Sequence, residues 1–319
     1  MGSYRVVVTD QVFPSVDLER AMLAEHDAEL VVADGPVEQV IELARDADAL
    51  LNTYLPIDSA FLARLERCAI VARYGIGVDN IDLEAAGAAG IAVTNVPDYS
   101  VEEVAAHALA LLLALLRKVP DGAQAVLAGE WGLDRVRPLR RLSGLTVGLV
   151  GFGRIARRLE RSLAALDVAC VVFDPYLPAD RRAGAAGHVT FVDSVEALLD
   201  RSDAVSLHAP LTPDTRGMIG RAELERLGSD GVLVNTSRGP LVDVPALVAA
   251  LHEGVIRAAG LDVLDVEPPT DPGRLDLPGL LVTPHMAYYS QEAIEESQTK
   301  ATTQVISALE GRPLDYRVN

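Results

Sequence analysis

Three polar side chains in the last third of the sequence have the types needed for acid–base chemistry on a small anion. Arg238, Glu267 and His285 each follow a short apolar run that is typical of a buried strand. Loops after strands are where open α/β sheets bind ligands. Histidine exchanges a proton near neutral pH, and arginine offers a planar charged fork for a carboxylate. A glutamate bonded to the imidazole would favour the charged ring and fix its orientation. We therefore predict that these three residues are catalytic.

A glycine-containing turn lies upstream of them. The sequence Gly151-Phe152-Gly153-Arg154-Ile155-Ala156 follows an apolar run and opens a helical pattern. Gly151 permits a tight turn, Gly153 lets the backbone approach a pyrophosphate, and Ala156 is small enough for close helix–strand packing. The pyrophosphate would lie at the helix N-terminus, where free N–H groups and the helix dipole favour an anion. The turn predicts a dinucleotide site.

The residue after the next apolar run indicates which dinucleotide is bound. Asp174 follows Phe173 at about the spacing expected for a carboxylate that binds the adenosine ribose hydroxyls. Its charge would repel a 2′-phosphate, and the following Pro175-Tyr176 supplies no cation to hold one. We therefore expect NAD to be preferred over NADP.

Short β-rich apolar runs alternate with helical periodicity along the sequence, which is typical of a parallel α/β fold. In the first hundred residues the predicted strands are Tyr4–Val8, Leu30–Val32, Ala49–Leu51, Ile70–Arg73 and Ile91–Thr94. The second series contains Thr146–Val150, Ala169–Phe173, Ala204–Leu207, Val232–Asn235, Ala258–Leu261 and Leu281–Thr283. These six strands match a dinucleotide-binding sheet.

The predicted helices indicate how the domains are connected. A helix is predicted at Tyr99–Lys118, with Ser100 as its N-cap and Pro120 beyond its end. The Arg-rich stretch Glu130–Ser143 predicts an irregular arm. The last predicted helix, Gln291–Leu309, is assigned to the first domain. We expect two doubly wound parallel-sheet domains: a substrate domain of residues 1–99 plus 286–319, and an NAD-binding domain of residues 100–285.

Composition restricts the partners. The formal charge of −18 argues against nucleic acid, whose binding relies on clustered Lys and Arg. The apolar run Val104–Leu116 is too short to span a membrane, and the N-terminus does not read as a signal peptide, so we expect a cytoplasmic protein. Cys68 and Cys170 lie in apolar stretches without metal-ligand spacing. Reduced thiols and no metal are therefore expected.

Several further motifs accompany these residues. They are Arg73–Asn80 (RYGIGVDN), His208–Leu211 with Thr215, Asn235–Gly239, Ala259–Val263, Glu267-Pro268 and Pro284-His285. With the Gly151 turn, this pattern resembles the D-isomer-specific 2-hydroxyacid dehydrogenases from about Arg73 to Gly311. The resemblance implies NAD-dependent interconversion of a 2-keto acid and a D-2-hydroxy acid. It also implies flavodoxin-like and Rossmann-like domains with a cleft between them, and a homodimer built largely on the cofactor domains.

The resemblance also implies roles for individual residues. His285 would give a proton to the carbonyl oxygen as hydride reaches the carbonyl carbon, and Arg238 would bind the substrate carboxylate. The expected cofactor-binding residues are Ser100, Gly151, Phe152, Gly153, Arg154, Ile155, Asp174, His208, Thr215, Thr236, Ser237, Arg238, Asp262 and His285. The expected substrate residues are Tyr54, Arg73, Gly75, Ile76, Gly77 and Tyr288, with the backbone N–H groups of residues 75–77 on the carboxylate.

Two subgroups of the family are similar to this sequence. The phosphoglycerate dehydrogenases typically carry an Arg for the substrate phosphate where Asn52 stands, which disfavours that substrate, although Arg73 could partly substitute. The C-terminal-binding-protein group has a Trp where Tyr288 stands, and it also agrees at Asp174–Leu177 and Ser100–Glu103. An aromatic side chain beside His285 would suit an uncharged, medium-sized apolar tail, or it could simply pack between domains. Tyr54 could line the opposite wall.

Three alternatives stay open. The first is 3-phosphoglycerate dehydrogenase activity. The second is an NADH-dependent binding protein like the animal corepressors of the C-terminal-binding-protein group, although the complete Arg–Glu–His set favours an enzyme. The third, a phosphite or formate dehydrogenase, rests on analogy of fold alone. The identity of the keto acid stays open within each enzymatic reading.

Overall fold

The computed structural model describes residues 4–178, 182 and 187–319. These residues form two compact units: unit 1 is Met1–Tyr99 with Tyr289–Asn319, and unit 2 is Ser100–Tyr288. The chain leaves unit 1 once and later returns to it.

Unit 1 contains a five-stranded parallel sheet in the order β2-β1-β3-β4-β5. Its strands are β1 (Tyr4–Val8), β2 (Ala28–Val32), β3 (Ala49–Asn52), β4 (Ile70–Arg73) and β5 (Ala92–Thr94). Its helices, numbered along the whole chain, are α1 (Asp17–Ala24), α2 (Val37–Ala44), α3 (Ser59–Leu62), α4 (Leu83–Ala88) and α11 (Gln291–Leu309). Every residue of β3 and β4 is buried, which explains their continuous apolar runs.

Unit 2 contains a seven-stranded parallel sheet in the order β12-β11-β10-β9-β6-β7-β8. Its strands are β6 (Thr146–Val150), β7 (Ala169–Phe173), β8 (Val189–Phe191), β9 (Ala204–Leu207), β10 (Val232–Asn235), β11 (Ala258–Leu261) and β12 (Leu280–Val282). Its helices are α5 (Val101–Leu116), α6 (Val119–Leu127), α7 (Arg154–Ala164), α8 (Val195–Leu199), α9 (Arg221–Leu227) and α10 (Val244–His252). The strand order reverses at β6, where such sheets bind ligands. The predicted class of two doubly wound α/β sheets is confirmed.

Two elements differ from the sequence predictions. The second sheet has seven strands, whereas six were predicted. The additional strand is the three-residue edge strand β8, which is too short and too exposed to give an apolar run in the sequence. Helix α5 ends at Leu116, so Pro120 lies beyond its end as predicted, but Pro120 also lies in the first turn of α6, which was not predicted. Proline is tolerated there because the first N–H groups of a helix have no intrahelical partner.

The predicted N-cap at Ser100 is only partly correct. Helix α5 does begin after Ser100, but the Ser100 side chain makes no capping hydrogen bond. Its hydroxyl oxygen is instead buried without a partner in the described part of the chain. The predicted irregular arm is confirmed for residues 130–141, which form neither helix nor strand.

Both cysteines are buried and unpaired. Burial raises the pKa of the Cys68 and Cys170 thiols to about 12, so neither forms a thiolate near neutral pH. Within residues 4–178, 182 and 187–319, no three His, Cys, Asp or Glu side chains are grouped to hold a metal ion. Over the same residues, no helix combines the length and apolarity needed to cross a bilayer.

Candidate active site

The turn after β6 has the geometry that a phosphate-binding glycine turn requires. Gly151 has a φ of +86°, and a Cβ there would lie 2.8 Å from the carbonyl oxygen of His208. Gly153 is the N-cap of α7, and a Cβ at Gly153 would meet no atom within 4 Å. Ala156 is fully buried against the sheet. The turn thus leaves open space at the helix N-terminus, as the sequence predicts.

Asp174 closes this turn. One carboxylate oxygen accepts the N–H of Phe152 at 2.9 Å, and the other accepts the N–H of Tyr176 at 3.0 Å. Arg182 also contacts this residue, since its Nη2 donates to the backbone carbonyl of Asp174 at 2.8 Å. Pro175 and Tyr176 supply no cation, as the sequence indicates, but Arg182 brings one to Asp174 from eight residues along the chain.

Eight buried side-chain polar atoms have no hydrogen-bond partner in the described residues, and three of the eight belong to predicted cofactor residues. These three are Ser100 Oγ, His208 Nε2 and Thr236 Oγ1. Unsatisfied buried polar atoms are uncommon in proteins and call for an explanation such as a bound ligand. A dinucleotide rich in hydroxyl and amide groups would supply the missing partners, so these residues fit the predicted cofactor.

Burial lowers the pKa of His208 to about 4. Since an unfolded histidine titrates near 6.5, the neutral ring stabilises the fold above that pH, and this contribution is lost as the pH falls from about 6.5 to about 4. It amounts to at most about 3 kcal/mol. When the pH is lowered from 7.5 to 4.5, we expect the free energy of unfolding to fall less in His208→Gln than in the unmodified protein. Urea unfolding at both pH values measures this, and parallel losses would contradict it.

The remaining predicted cofactor residues have varied surroundings. The Phe152 ring packs edge-on against Phe191, with centroids 5.7 Å apart, so only its backbone belongs to the turn. Ile155 packs against the core, and Arg154 begins α7. The hydroxyls of Thr215 and Ser237 donate to backbone carbonyls, at 2.7 and 2.8 Å. These two hydroxyls therefore hold their own loops, and their contact with a cofactor stays a prediction.

The loop after β10 is held by Asn235. This buried side chain donates to the carbonyl of Arg238 at 2.8 Å and accepts the N–H of Ser237 at 3.0 Å. Gly239 follows, where a Cβ would lie 1.9 Å from the backbone of Leu264. The backbone of Arg238 is therefore fixed on one side by the Asn235 side chain. On the other side it is fixed by the close contact at Gly239, where only glycine fits.

Glu267 and His285 are hydrogen-bonded to each other, with His285 Nδ1 2.6 Å from Glu267 Oε2. The other oxygen of Glu267 accepts the N–H of Leu264 at 2.7 Å. Burial raises the pKa of Glu267, but the bond to His285, the Leu264 N–H and the charges of His285 and Arg238 outweigh it. As a result, the pKa of Glu267 lies below the usual value of a glutamate. Glu267 is therefore ionised at neutral pH and orients the imidazole.

Asp262 holds the loop that carries His285. Its buried carboxylate accepts the Thr283 hydroxyl at 2.6 Å and the N–H groups of Met286 and Ala287 at 2.9 Å each. His285 itself has a φ of +48°, an unusual conformation that such a clamp can maintain. The predicted cofactor contact of Asp262 stays untested, whereas its bonds to this loop are direct.

Tyr288 lies beside the catalytic candidate. The two rings meet edge-on at 83°, with centroids 6.0 Å apart. His107 of α5 contacts Thr283 Oγ1 through Nε2 at 3.0 Å. Thr283 and His107 are not among the predicted site residues, although the Thr-Pro-His order around His285 was a signal for Thr283.

In unit 1, the loop after β3 lies against that after β4. The Asn52 amide is fully buried and donates to Thr9 and to the Leu55 carbonyl, at 2.9 and 3.0 Å. Arg73 is also buried, and its Nε donates to the Thr53 carbonyl at 3.2 Å. Tyr54 is exposed, and its N–H bonds to a carboxylate oxygen of Asp10.

Arg73 also reaches the glycine loop of residues 75–77. A Cβ at Gly75 would lie 1.7 Å from Nη1 of Arg73, so the guanidinium rests directly on this glycine. A fixed cation beside adjacent backbone N–H groups is an arrangement that attracts anions. The structure thus brings together Arg73, Gly75, Ile76 and Gly77, as the sequence predicts.

Comparisons with known proteins identify the family of this chain. The family model "D-isomer specific 2-hydroxyacid dehydrogenase, NAD binding domain" matches residues 109–287. A D-3-phosphoglycerate dehydrogenase of Methanocaldococcus jannaschii is 35% identical over 99% of this chain, which spans 59% of the length of that relative. A glyoxylate reductase of Thermococcus litoralis is 37% identical over 80% of this chain and 78% of its own length.

A solved structure has the same fold over nearly the whole chain. It is an NADPH-dependent glyoxylate/hydroxypyruvate reductase from Sinorhizobium meliloti in complex with NADP and malonate. Its TM-score is 0.84, with 29% identity, 99% coverage of this chain and 96% of that one. The family match covers more than half of the described fold, and it includes the glycine turn and the Arg238, Glu267 and His285 loops. The chain belongs to the D-isomer specific 2-hydroxyacid dehydrogenase family.

Proposed function

We propose that this protein catalyses the NAD-dependent interconversion of a 2-keto acid and a D-2-hydroxy acid. The observation that carries the proposal is the bonded His285–Glu267 pair, which lies in loops after the strands of the sheet that also bears the Gly151 turn. Unit 2 is then the cofactor domain and unit 1 the substrate domain. NADH, when bound, supplies the hydride.

The residues of the chain have distinct tasks in the reductive direction. His285 holds a proton at Nε2 and donates it to the carbonyl oxygen, while ionised Glu267 stabilises the positive ring through Nδ1. Arg238 binds the carboxylate and the charge that grows on the oxygen. Arg73 and the N–H groups of residues 75–77 bind the carboxylate as well. In oxidation, His285 accepts the proton.

Asp174 supports a preference for NAD, because its carboxylate would repel a 2′-phosphate. We expect Asp174→Asn to lower the kcat/KM ratio of NAD to NADP by about 10- to 100-fold, the range for loss of a charge-assisted hydrogen bond and of a repulsion. Asn can still accept the Phe152 N–H, so the turn should persist. Initial rates with both cofactors measure the ratio.

Arg182 provides the matched control for this change. If its guanidinium supplies the cation for a 2′-phosphate, Asp174→Asn combined with Arg182→Ala will use NADP more poorly than Asp174→Asn alone. An unchanged NAD to NADP ratio in Asp174→Asn would show that Asp174 does not select the cofactor.

3-Phosphoglycerate dehydrogenation is a second candidate. The M. jannaschii relative carries that name, and Arg73 places a cation on the substrate loop. The Asn52 amide is engaged with Thr9 and Leu55, however, and supplies no charge for a phosphate. A substrate with a smaller or uncharged tail is therefore favoured.

The test is NADH oxidation with 2-keto acids of graded tail size, including glyoxylate, hydroxypyruvate, phosphohydroxypyruvate and branched aliphatic members. The proposal expects turnover of at least one, with D configuration in the product. Preference for phosphohydroxypyruvate would establish the second candidate. NADH binding without turnover of any member would contradict the proposed activity and favour a cofactor-dependent binding protein.

A homodimer through the cofactor domain is part of the proposal. Leu127 and Trp131, at the end of α6 and in the arm, are 88% and 92% exposed. Large exposed apolar side chains that are grouped in this way commonly mark a protein interface. We expect Leu127→Asp to shift a dimer towards monomer, whereas Val12→Asp in unit 1 should not. Sedimentation equilibrium measures both, and a dimer that survives Leu127→Asp unchanged would place the interface elsewhere.

A further inference from the structure

The glycine loop after β4 is held by its carbonyl groups. Three successive carbonyl oxygens, of residues 74, 75 and 76, each accept a hydrogen bond; the donors are Ser297 Oγ at 2.8 Å, the Val96 N–H at 3.0 Å and Asn95 Nδ2 at 2.7 Å. The N–H groups of residues 75–77 meet no acceptor in the described part of the chain. The loop is thus fixed through its carbonyl groups, whereas its N–H groups are left without an acceptor among these residues.

Besides its carbonyl, the side chain of Tyr74 is also held in place. Its hydroxyl donates to Glu19 Oε1 at 2.8 Å, and its ring packs edge-on against Phe13, with centroids 5.0 Å apart. Burial and the nearby charge of Glu19 raise the pKa of Tyr74 well above its usual value. The hydroxyl therefore stays protonated and remains a donor at every physiological pH.

Glu19 links this side chain to the helix α11. It is fully buried, and Gln298 Nε2 lies 2.8 and 3.0 Å from its two oxygens while also bonding to the Ser15 carbonyl at 2.8 Å. A buried carboxylate is costly unless its oxygens are hydrogen-bonded. A well-packed apolar side chain in its place would often stabilise the fold as much, so stability alone does not account for it.

We propose that Tyr74 is a positioning residue for the substrate carboxylate. Its hydroxyl, fixed by Glu19 and Gln298, and its carbonyl, fixed by Ser297, together set the direction of the N–H groups of residues 75–77. The proposal rests on the proposed function, because that reaction requires a carboxylate on this loop. None of these side chains needs to touch the substrate.

Tyr74→Phe tests the hydroxyl while it keeps the ring and its packing on Phe13. We expect the KM for the keto acid to rise about tenfold, the usual effect of losing one hydrogen bond to a charged group, with kcat within about twofold. The Kd for NADH should not change. A lower melting temperature with an unchanged KM would show that Tyr74 only stabilises the fold, and would overturn the proposal.

Ser297→Ala removes the hydrogen bond to the Tyr74 carbonyl and should raise the KM for the keto acid in the same way. Gln304→Leu is the matched control, because Gln304 is also buried on α11 and accepts the Asp315 N–H at 2.9 Å, away from the glycine loop. It should cost stability without raising the KM. Equal increases in KM for Ser297→Ala and Gln304→Leu would indicate a general loss of structure and contradict the proposal.

A readout that needs no turnover keeps the proposal separate from the proposed function. Tyr74–Gly75 is the only Tyr–Gly pair in the sequence, so labelling Tyr carbonyls with ¹³C and Gly amides with ¹⁵N isolates the Gly75 amide in a carbonyl-filtered NMR spectrum. This signal should shift or broaden in Glu19→Gln and Ser297→Ala, and should not in Gln304→Leu. An unmoved signal would overturn the positioning role, whereas absence of keto acid turnover would contradict only the proposed function.

Discussion

His285→Ala is expected to lower kcat for keto acid reduction by about 10²- to 10⁴-fold, the usual contribution of a positioned general acid. The variant removes the proton donor and leaves Glu267 without its partner. Folding should survive, because His285 is partly exposed and the loop around it is held by backbone groups bonded to Asp262. Steady-state rates at saturating NADH measure the effect.

A second histidine provides the matched control for this change. His188, at the start of β8, is paired with Glu160 and lies outside the proposed active site. His188→Ala should keep kcat within about twofold. Near-parental turnover in a folded His285→Ala would show that another group donates the proton, and the acid–base assignment would then be wrong.

Among Gly→Ala substitutions, Gly239→Ala is expected to have the largest combined effect on stability and on catalytic rate. The new Cβ would lie 1.9 Å from the carbonyl carbon and oxygen of Leu264, which are backbone atoms that cannot rotate away. Either the Arg238 loop or the Leu264 segment must then move. Since the Leu264 N–H holds Glu267, the move would displace both Arg238 and Glu267.

The cost should appear in stability and in rate together. Overpacking against backbone destabilises by about 3 kcal/mol or more, and a displacement of about 1 Å at a catalytic group costs about 10²-fold in kcat/KM. Urea unfolding and initial rates measure the two effects. Gly144→Ala is the control, because a Cβ there would meet no atom within 4 Å. Wild-type-like rates in Gly239→Ala would show that the loops tolerate the shift.

The strands of both sheets could be predicted because their side chains are buried on two faces. β1, β4, β6, β7, β9, β10 and β11 have the predicted bounds, since each is a continuous apolar run ended by a turn residue. β8 and α6 could not be predicted in the same way. β8 has two half-buried residues and one exposed residue, and α6 carries Pro120 in its first turn, although proline normally ends a helix.

The candidate site shows a similar division. The residue types and order of Arg238, Glu267 and His285 predict a catalytic trio, because they belong to local motifs. The bond between Glu267 and His285 was expected from the sequence, but the bonds that hold the His285 loop were not, since Asp262 meets Ala287 over 25 residues. The bonds around Tyr74 were not predictable either, since Glu19 meets Gln298 over 279 residues. Such contacts depend on how distant strands and helices pack. The cation of Arg182 was not predicted beside Asp174, because the two residues are eight positions apart in the sequence.

The return of the chain to unit 1 has a consequence for its synthesis. Helix α11 packs against α1, β3 and β4, and it carries the Ser297 and Gln298 side chains that complete the bonds around Tyr74. A ribosome reaches residues 291–309 only after all of unit 2 has been made. While the inserted unit 2 emerges, Glu19 lacks its bonds to Gln298, and β3 and β4 lack their contacts with α11. Unit 2 is thus able to mature before the segment that precedes it.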